Sequence, residues 1–206
     1  MDKKTLSYPT AINAKELIKL FTYKVDNEIH LELLQVSHTI ELFEVINKNK
    51  INLQKWMPWI SSVESVDKFQ KIVNRLLSRS IKGLDIHTVI FYKQELVGAV
   101  CLTEIDSVNK KADIGYWLDK SYRKRGIVSK TLSHFIHYSF ESLKLNRLTI
   151  KCSTQNVDSN KVAQRLGFKL EGCFKEWEIV DGKPQDFNIY GITTSDWENS
   201  YRIKEA

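Results

Sequence analysis

Apolar and polar positions follow two different rhythms along this chain, and the change between them near residue 120 organises the rest. Over residues 112–118, Ile114, Tyr116 and Leu118 alternate with Asp113, Gly115 and Trp117. That two-residue period predicts a strand. Residues 121–126, Ser-Tyr-Arg-Lys-Arg-Gly, are polar and break it. From Ile127 onward the apolar positions Val128, Leu132, Phe135, Ile136, Phe140 and Leu143 fall on one helical face. The pattern predicts a strand, a basic turn containing glycine, and an amphipathic helix.

Upstream, residues 1–25 predict an appended arm or short helix, with Ile12, Leu17, Ile18, Leu20 and Phe21 among lysines. The domain proper is expected over residues 26–206. Residues 29–34 predict a first strand. Ser37 offers a cap for a helix carrying Ile40, Leu42, Phe43, Val45 and Ile46, expected to end near Asn47. Trp56 and Trp59 flank Met57-Pro58, and the proline argues against a continuing helix. The tryptophan pair reads either as the wall of a pocket or as a packed corner. Ser62 or Ser65 starts the next helix, which Gly83 stops. Residues 87–92 and 96–105 predict a hairpin around Lys93-Gln94-Glu95.

Downstream, residues 147–152 predict a strand, so that strand, helix and strand form a parallel crossover. The helix N-terminus then sits at the carboxyl end of the central strand, where open sheets bind ligands. Asn156 ends the strand, Asp158 or Ser159 caps a short helix with Val162, Ala163 and Leu166, and Gly167 stops it. Residues 174–180 and 187–192 predict a closing hairpin around Asp181-Gly182-Lys183-Pro184, and a last helical turn follows at 195–197. The sum is one α/β (α+β) domain with a mixed, mostly antiparallel sheet of about seven strands between helices.

Charge and cysteine content narrow the function classes. The 31 Lys+Arg against 25 Asp+Glu give +6, which suits an anionic partner or simply solvated faces. Three widely spaced cysteines without a CxxC read as reduced thiols of a cytoplasmic protein. No apolar run approaches membrane-spanning length, and residues 1–10 carry no signal-like apolar core. His134 and His137 could share a helix face, but with no third ligand evident no metal is expected.

The basic turn has its own chemistry. The first backbone N–H groups of a helix have no intrahelical partner, and the helix dipole makes that end positive. Phosphate oxygens satisfy such groups, and Gly126 permits close approach or a positive φ. An ordinary exposed basic turn is the plainer alternative.

At these residues the chain resembles a known family. Residues 123–128, Arg-Lys-Arg-Gly-Ile-Val, resemble the Q/R-x-x-G-x-G/A acetyl-CoA signature of the GNAT acetyltransferases. The preceding Ile-Gly-Tyr-Trp-Leu-Asp is similar to the RimL/RimJ-type ribosomal-protein N-terminal acetyltransferases. Arg123 and Gly126 match the signature, whereas Val128 stands where Gly or Ala is usual. Asn156, Ser159, Gly167 and Phe168 match a second family block, N-x-x-S/A…LGF. The helix position where many members carry a tyrosine acid is Ala163, and the RimL-like branch instead has a serine at the position of Ser159. The resemblance runs from about Asn27 to Trp197.

The resemblance implies a sheet splayed open at its centre and acetyl-CoA as co-substrate. It implies Trp117, Leu118, Arg123, Lys124, Arg125, Gly126, Ile127, Val128, Ser129, Asn156 and Asn160 as cofactor contacts. Ser159 would hydrogen-bond or protonate the leaving thiolate, and Asp113, acting through a water, would be the base, with Glu104 as a second candidate. The acceptor is expected to be a primary amine, foremost the α-amine of a ribosomal protein. A small amine, antibiotic or peptide toxin is the rival. From other classes, a basic nucleic-acid-binding module or a non-catalytic acyl-CoA binder remains; against the former, aromatics do not interleave with the basic cluster. Self-association through the arm fits a homodimer, and no membrane partner is expected.

Overall fold

Val89 and Ile90 are chain neighbours, yet each is buried in a different hydrophobic core. A strand turns successive side chains to opposite faces, so this split means a sheet covered on both sides. The computed structural model describes residues 22–180 and 182–205. Its strands are β1 (Thr22–Lys24), β2 (Ile29–Leu33), β3 (Ile86–Tyr92), β4 (Glu95–Asp106), β5 (Lys111–Leu118), β6 (Arg147–Ser153), β7 (Lys169–Val180) and β8 (Lys183–Thr193). They form one sheet in the order β1-β2-β3-β4-β5-β6-β8-β7. The helices are α1 (Thr39–Leu53), α2 (Val66–Ile81), α3 (Ile127–Glu141), α4 (Val157–Arg165) and α5 (Thr194–Glu205). Leu42, Ile46 and Leu53 of α1 and Phe69 and Val73 of α2 close one face. Leu132, Phe135, Ile136 and Phe140 of α3, with Ala163 of α4 and Trp197 of α5, close the other.

The sheet has eight described strands, not the seven expected. The additional one is β1, inside the stretch read as an appended arm. It pairs antiparallel with β2, and Tyr23 packs edge-on against His134, with ring centroids 5.9 Å apart. The helix expected over residues 11–23 lies outside the described residues as far as residue 21.

Two boundaries moved for identifiable reasons. Helix α1 runs on to Leu53 rather than ending near Asn47. Its inward stripe is Leu42, Ile46, Asn49 and Leu53, and the polar Asn49 hid the period. Ser37 is not its cap: residues Val36–His38 form a 3-10 turn, and Thr39 Oγ1 donates to the Val36 carbonyl at 2.7 Å. Ser65 does cap α2, accepting from the Lys68 N–H.

What positions the site is the join between β5 and β6. They are parallel neighbours, yet their pairing consists of Lys111↔Arg147, Ala112↔Leu148 and Asp113↔Thr149. Beyond these pairs β5 continues to Leu118 and β6 to Ser153, so the strands separate and leave a wedge open at their carboxyl ends. The expected splay is there. Close packing behind it holds it in place: Gly98 of β4 lies opposite Leu118, and a Cβ there would press on the Trp117 carbonyl oxygen.

Candidate active site

The wedge is a cleft of about 660 Å³. Five stretches, together with Gln155 and with Phe187 of β8, line it, and each arrives by a separate local argument. Strand β5 contributes Ile114 to Leu118, and β6 contributes Ile150 to Ser153. The turn and first residues of α3 contribute Tyr122, Arg123, Lys124 and Gly126 to Ser129. The start of α4 contributes Asn156 to Ser159, then Lys161, Val162 and Arg165. From the other face of the sheet, the end of α1 contributes Asn52, Leu53, Lys55, Trp56 and Met57.

Helix α3 presents its N-terminus to this cleft. Its N-cap is Gly126, with φ 77° and no side-chain cap. A Cβ at Gly126 would meet nothing within 4 Å, so backbone conformation rather than space demands glycine. The first backbone bond of the helix is Lys130 N–H to Gly126 O at 3.0 Å, so the amides of Ile127, Val128 and Ser129 precede the ladder. Val128 lines the cleft while its branched side chain packs on the main core. Uncapped amides, a positive helix end and Arg123, Lys124, Lys161 and Arg165 nearby suit a diphosphate. Arg165 also holds the turn, donating from Nη1 to Ser129 Oγ at 3.1 Å.

Ser159 is placed in the first turn of α4, half-buried at the cleft. It is not the cap: Asn156 is, accepting the Ser159 N–H at 3.2 Å. The hydroxyl is therefore not used to start the helix, which answers the alternative left by the sequence. The Tyr116 hydroxyl reaches the same turn and donates to the Ser159 carbonyl at 3.4 Å. Burial pushes the Tyr116 phenol up to about 12 and the Cys152 thiol, also in the cleft, up to about 12. Both stay protonated across the physiological range.

Three expected site residues do not join this group. Arg125 folds back, donating to the Ser121 carbonyl at 3.0 Å with its guanidinium 5.0 Å from the Tyr122 ring centroid. Asn160 lies inside the fold. Its Nδ2 donates to the carbonyls of Ser153 and Asn156, and its Oδ1 accepts from Asn188 and the Tyr190 hydroxyl. Asp113 stands at the last paired position of β5, outside the cleft lining, with Lys151 Nζ 2.6 Å from its carboxylate. Glu104 is more remote still, bonded to Arg79. Of the tryptophan pair, Trp56 lines the cleft and Trp59 is an exposed residue outside its lining.

One carboxylate went unread in the sequence. Between Phe174 and Glu178 strand β7 bulges, with Glu176 at φ 48° and its N–H bonded to Asp186. The bulge sets Glu178 opposite Gln185, whose side chain accepts from the cleft residue Ser153 at 2.6 Å. Glu178 is an exposed residue outside the cleft lining, and partial desolvation raises its carboxyl above its ordinary value. The broken alternation at Lys175-Glu176-Trp177 was the only available signal.

A parallel pair splayed beside an uncapped helix N-terminus, with hydroxyl and thiol donors at the inner end, defines the site of a CoA-dependent acyltransferase. Comparison with known proteins assigns the family. The Acetyltransferase (GNAT) domain family matches residues 28–169. The ribosomal-protein-serine acetyltransferase of Escherichia coli K12 is 37% identical over 169 residues, spanning 82% of this chain and 94% of its own. RimL, described as a ribosomal L7/L12 alpha-N-protein acetyltransferase in complex with coenzyme A, superposes with a TM-score of 0.82 at 32% identity, covering 84% of this chain and 98% of that one. MccE, a microcin C7 self-immunity acetyltransferase in complex with acetyl-CoA and AMP, gives 0.80 at 32% identity over 86% and 99%. The chain belongs to the GNAT acetyltransferases: it is an acetyl-CoA-dependent N-acetyltransferase.

Proposed function

We propose that this enzyme acetylates the N-terminal α-amine of a ribosomal protein, in the cytoplasm where such a protein is made. The observation that carries the reading is the two-sided cleft. The cleft is lined from both faces of the sheet, by the start of α3 on one and by Asn52, Lys55, Trp56 and Met57 on the other. On this reading the acceptor chain end lies against the Trp56 side while the cofactor occupies the α3 side. The identity with the E. coli ribosomal-protein-serine acetyltransferase over most of both chains supports the same acceptor class.

The residues then divide as follows. The amides of Ile127 to Ser129, with Arg123 and Lys124, hold the cofactor diphosphate. Leu118 turns its main-chain groups to the edge of β5 that β6 leaves unpaired and offers them to the pantetheine arm and to the carbonyl oxygen as it gains charge, whereas the main-chain groups of Trp117 face Ala99 of β4. Acetyl-CoA supplies the activated acyl group. A water relays the proton of the attacking amine to Glu178, which lies outside the cleft lining but opposite Gln185, the acceptor of the cleft residue Ser153. Ser159 donates to the departing sulfur, with Tyr116 and Cys152 keeping that end of the cleft protic. No covalent enzyme intermediate is needed.

The MccE likeness favours a second acceptor class, a small amine or peptide antibiotic. A thiol-release assay with acetyl-CoA over ribosomal N-terminal peptides and small amines separates the two. Turnover of a peptide α-amine with none of free small amines is expected. The reverse pattern would replace the proposal with the second reading, and CoA binding without turnover of any amine would leave only a binder.

A further inference from the structure

The 119–126 turn is anchored from behind by α1, through two buried residues that line no part of the cleft. Asn49 sits mid-helix in α1, 1% exposed, in the same inward stripe as Ile46 and Leu53. A leucine would bury there without cost, whereas a buried amide must be hydrogen-bonded. Its Nδ2 donates to the Val45 carbonyl at 2.9 Å, and its Oδ1 accepts the Lys120 N–H at 3.0 Å, 71 residues away in sequence. Beside it lies Asp119, 2% exposed, at the first residue after β5. Asp119 accepts the Ser121 N–H at 2.8 Å and Lys48 Nζ at 3.0 Å, and its own N–H donates to the Val97 carbonyl at 2.7 Å. Burial works to raise this carboxyl, but those hydrogen bonds outweigh it and hold it below its usual range.

These contacts fix where Lys120 and Ser121 stand, and the turn from them leads directly into Gly126 and the open amides of α3. The same helix continues past Asn49 into Asn52 and Leu53 and the adjoining Lys55 to Met57, the wall on the other side of the cleft. Helix α1 and the residues just after it thus carry both the back of the cofactor turn and one wall of the cleft.

We propose that Asn49 and Asp119 are positioning residues for acetyl-CoA, holding the 119–126 turn to α1 so that the α3 amides are aimed before the cofactor arrives. This rests on the reading of that turn as the diphosphate cradle. Neither residue lines the cleft, so neither touches the reacting atoms.

The test is CoA titration by calorimetry, with initial rates on an accepted amine, for the wild type, Asn49→Leu, Asp119→Ala and Asp119→Asn. Loss of one buried partner for a backbone amide predicts a rise in CoA Kd and acetyl-CoA KM of about tenfold in Asn49→Leu and Asp119→Ala. At saturating acetyl-CoA, kcat falls by less than about threefold, because bound cofactor draws the turn back into place. Asp119→Asn keeps an oxygen for the Ser121 amide and shows a smaller rise than Asp119→Ala. Kd and KM within about twofold of wild type, or kcat and melting temperature falling together at constant KM, would overturn the proposal. If Asn49→Leu does not fold, the ordering of the two Asp119 variants decides. A wild-type chain that takes up no CoA would bring down the cradle itself, a result distinct from equal binding by all four proteins.

Discussion

Individual side chains decide the chemistry, and two of them separate structure from function cleanly. Asn156 caps α4, so removing the Ser159 hydroxyl leaves the helix start intact. Ser159→Ala should therefore fold normally and lose roughly 10²- to 10⁴-fold in kcat, the scale of a positioned proton donor. Full activity at unchanged melting temperature would remove Ser159 from the mechanism. Glu178 carries the pH argument. Its carboxyl is raised by desolvation, so it gains its proton at a higher pH than an ordinary glutamate. As base it must be ionised, so kcat/KM should fall as pH drops through a value above 4.5, the ordinary carboxyl value for this side chain. Glu178→Gln should lower the plateau and abolish that acid limb. An unchanged limb in the variant would assign it to another group.

Secondary-structure elements decide which face each group meets. The turn before α3 works because Gly126 takes φ 77° with open space around its α-carbon. A non-glycine residue in that left-handed conformation costs about 1 kcal/mol. Gly126→Ala should lower the melting temperature by about 2–4 °C and weaken CoA binding, while Gly126→Glu, adding like charge at the diphosphate, should abolish binding. Calorimetric affinity equal to wild type in Gly126→Glu would take the cradle out of the account. The α1 terminus makes the opposite case. Trp56 lines the cleft and Trp59 does not, so Trp56→Ala should raise acceptor KM more than acetyl-CoA KM, and Trp59→Ala should change neither. Equal increases in both constants for Trp56→Ala, with a lower melting temperature, would mean that the ring serves packing alone.

At the scale of the whole molecule, stability on the acid side depends on a cluster far from the cleft. Asp85 is buried, accepts from Arg79, from the Glu104 N–H at 3.2 Å, and lies 3.3 Å from His87 Nε2. Burial acts to raise its carboxyl, but the hydrogen bonds from Arg79 and His87 prevail and hold it below the ordinary range. His87 is lowered, chiefly by burial. Both groups bind protons more readily in the unfolded chain, so both contribute stability that falls as pH falls. The His87 contribution starts to fade below about pH 6.5 and that of Asp85 below about pH 3.9, their unfolded values. Denaturant midpoints should therefore fall from about pH 6.5 downward, and Asp85→Asn should flatten the lower part of that curve while reducing stability at neutral pH. An identical pH dependence in the variant would show that the Asp85 cluster does not govern acid unfolding.

The rhythm of apolar positions was enough to read β5, the turn and α3 in their correct order, because a period of two giving way to one of 3.6 is a local property. The basic turn, Gly126 and Ser159 were legible for the same reason: each acts through its own backbone neighbourhood. What the chain alone left undecided involved partners distant in sequence. Whether β5 and β6 zip or part, which way Arg125 folds, whether Asn160 faces the cleft or the interior, and how a bulge presents Glu178 all depend on contacts that only the folded sheet creates. Asn49 shows the reason most plainly. As a polar interruption it blurred the period of α1, and only the packed structure brings it to the Lys120 amide that accounts for its burial.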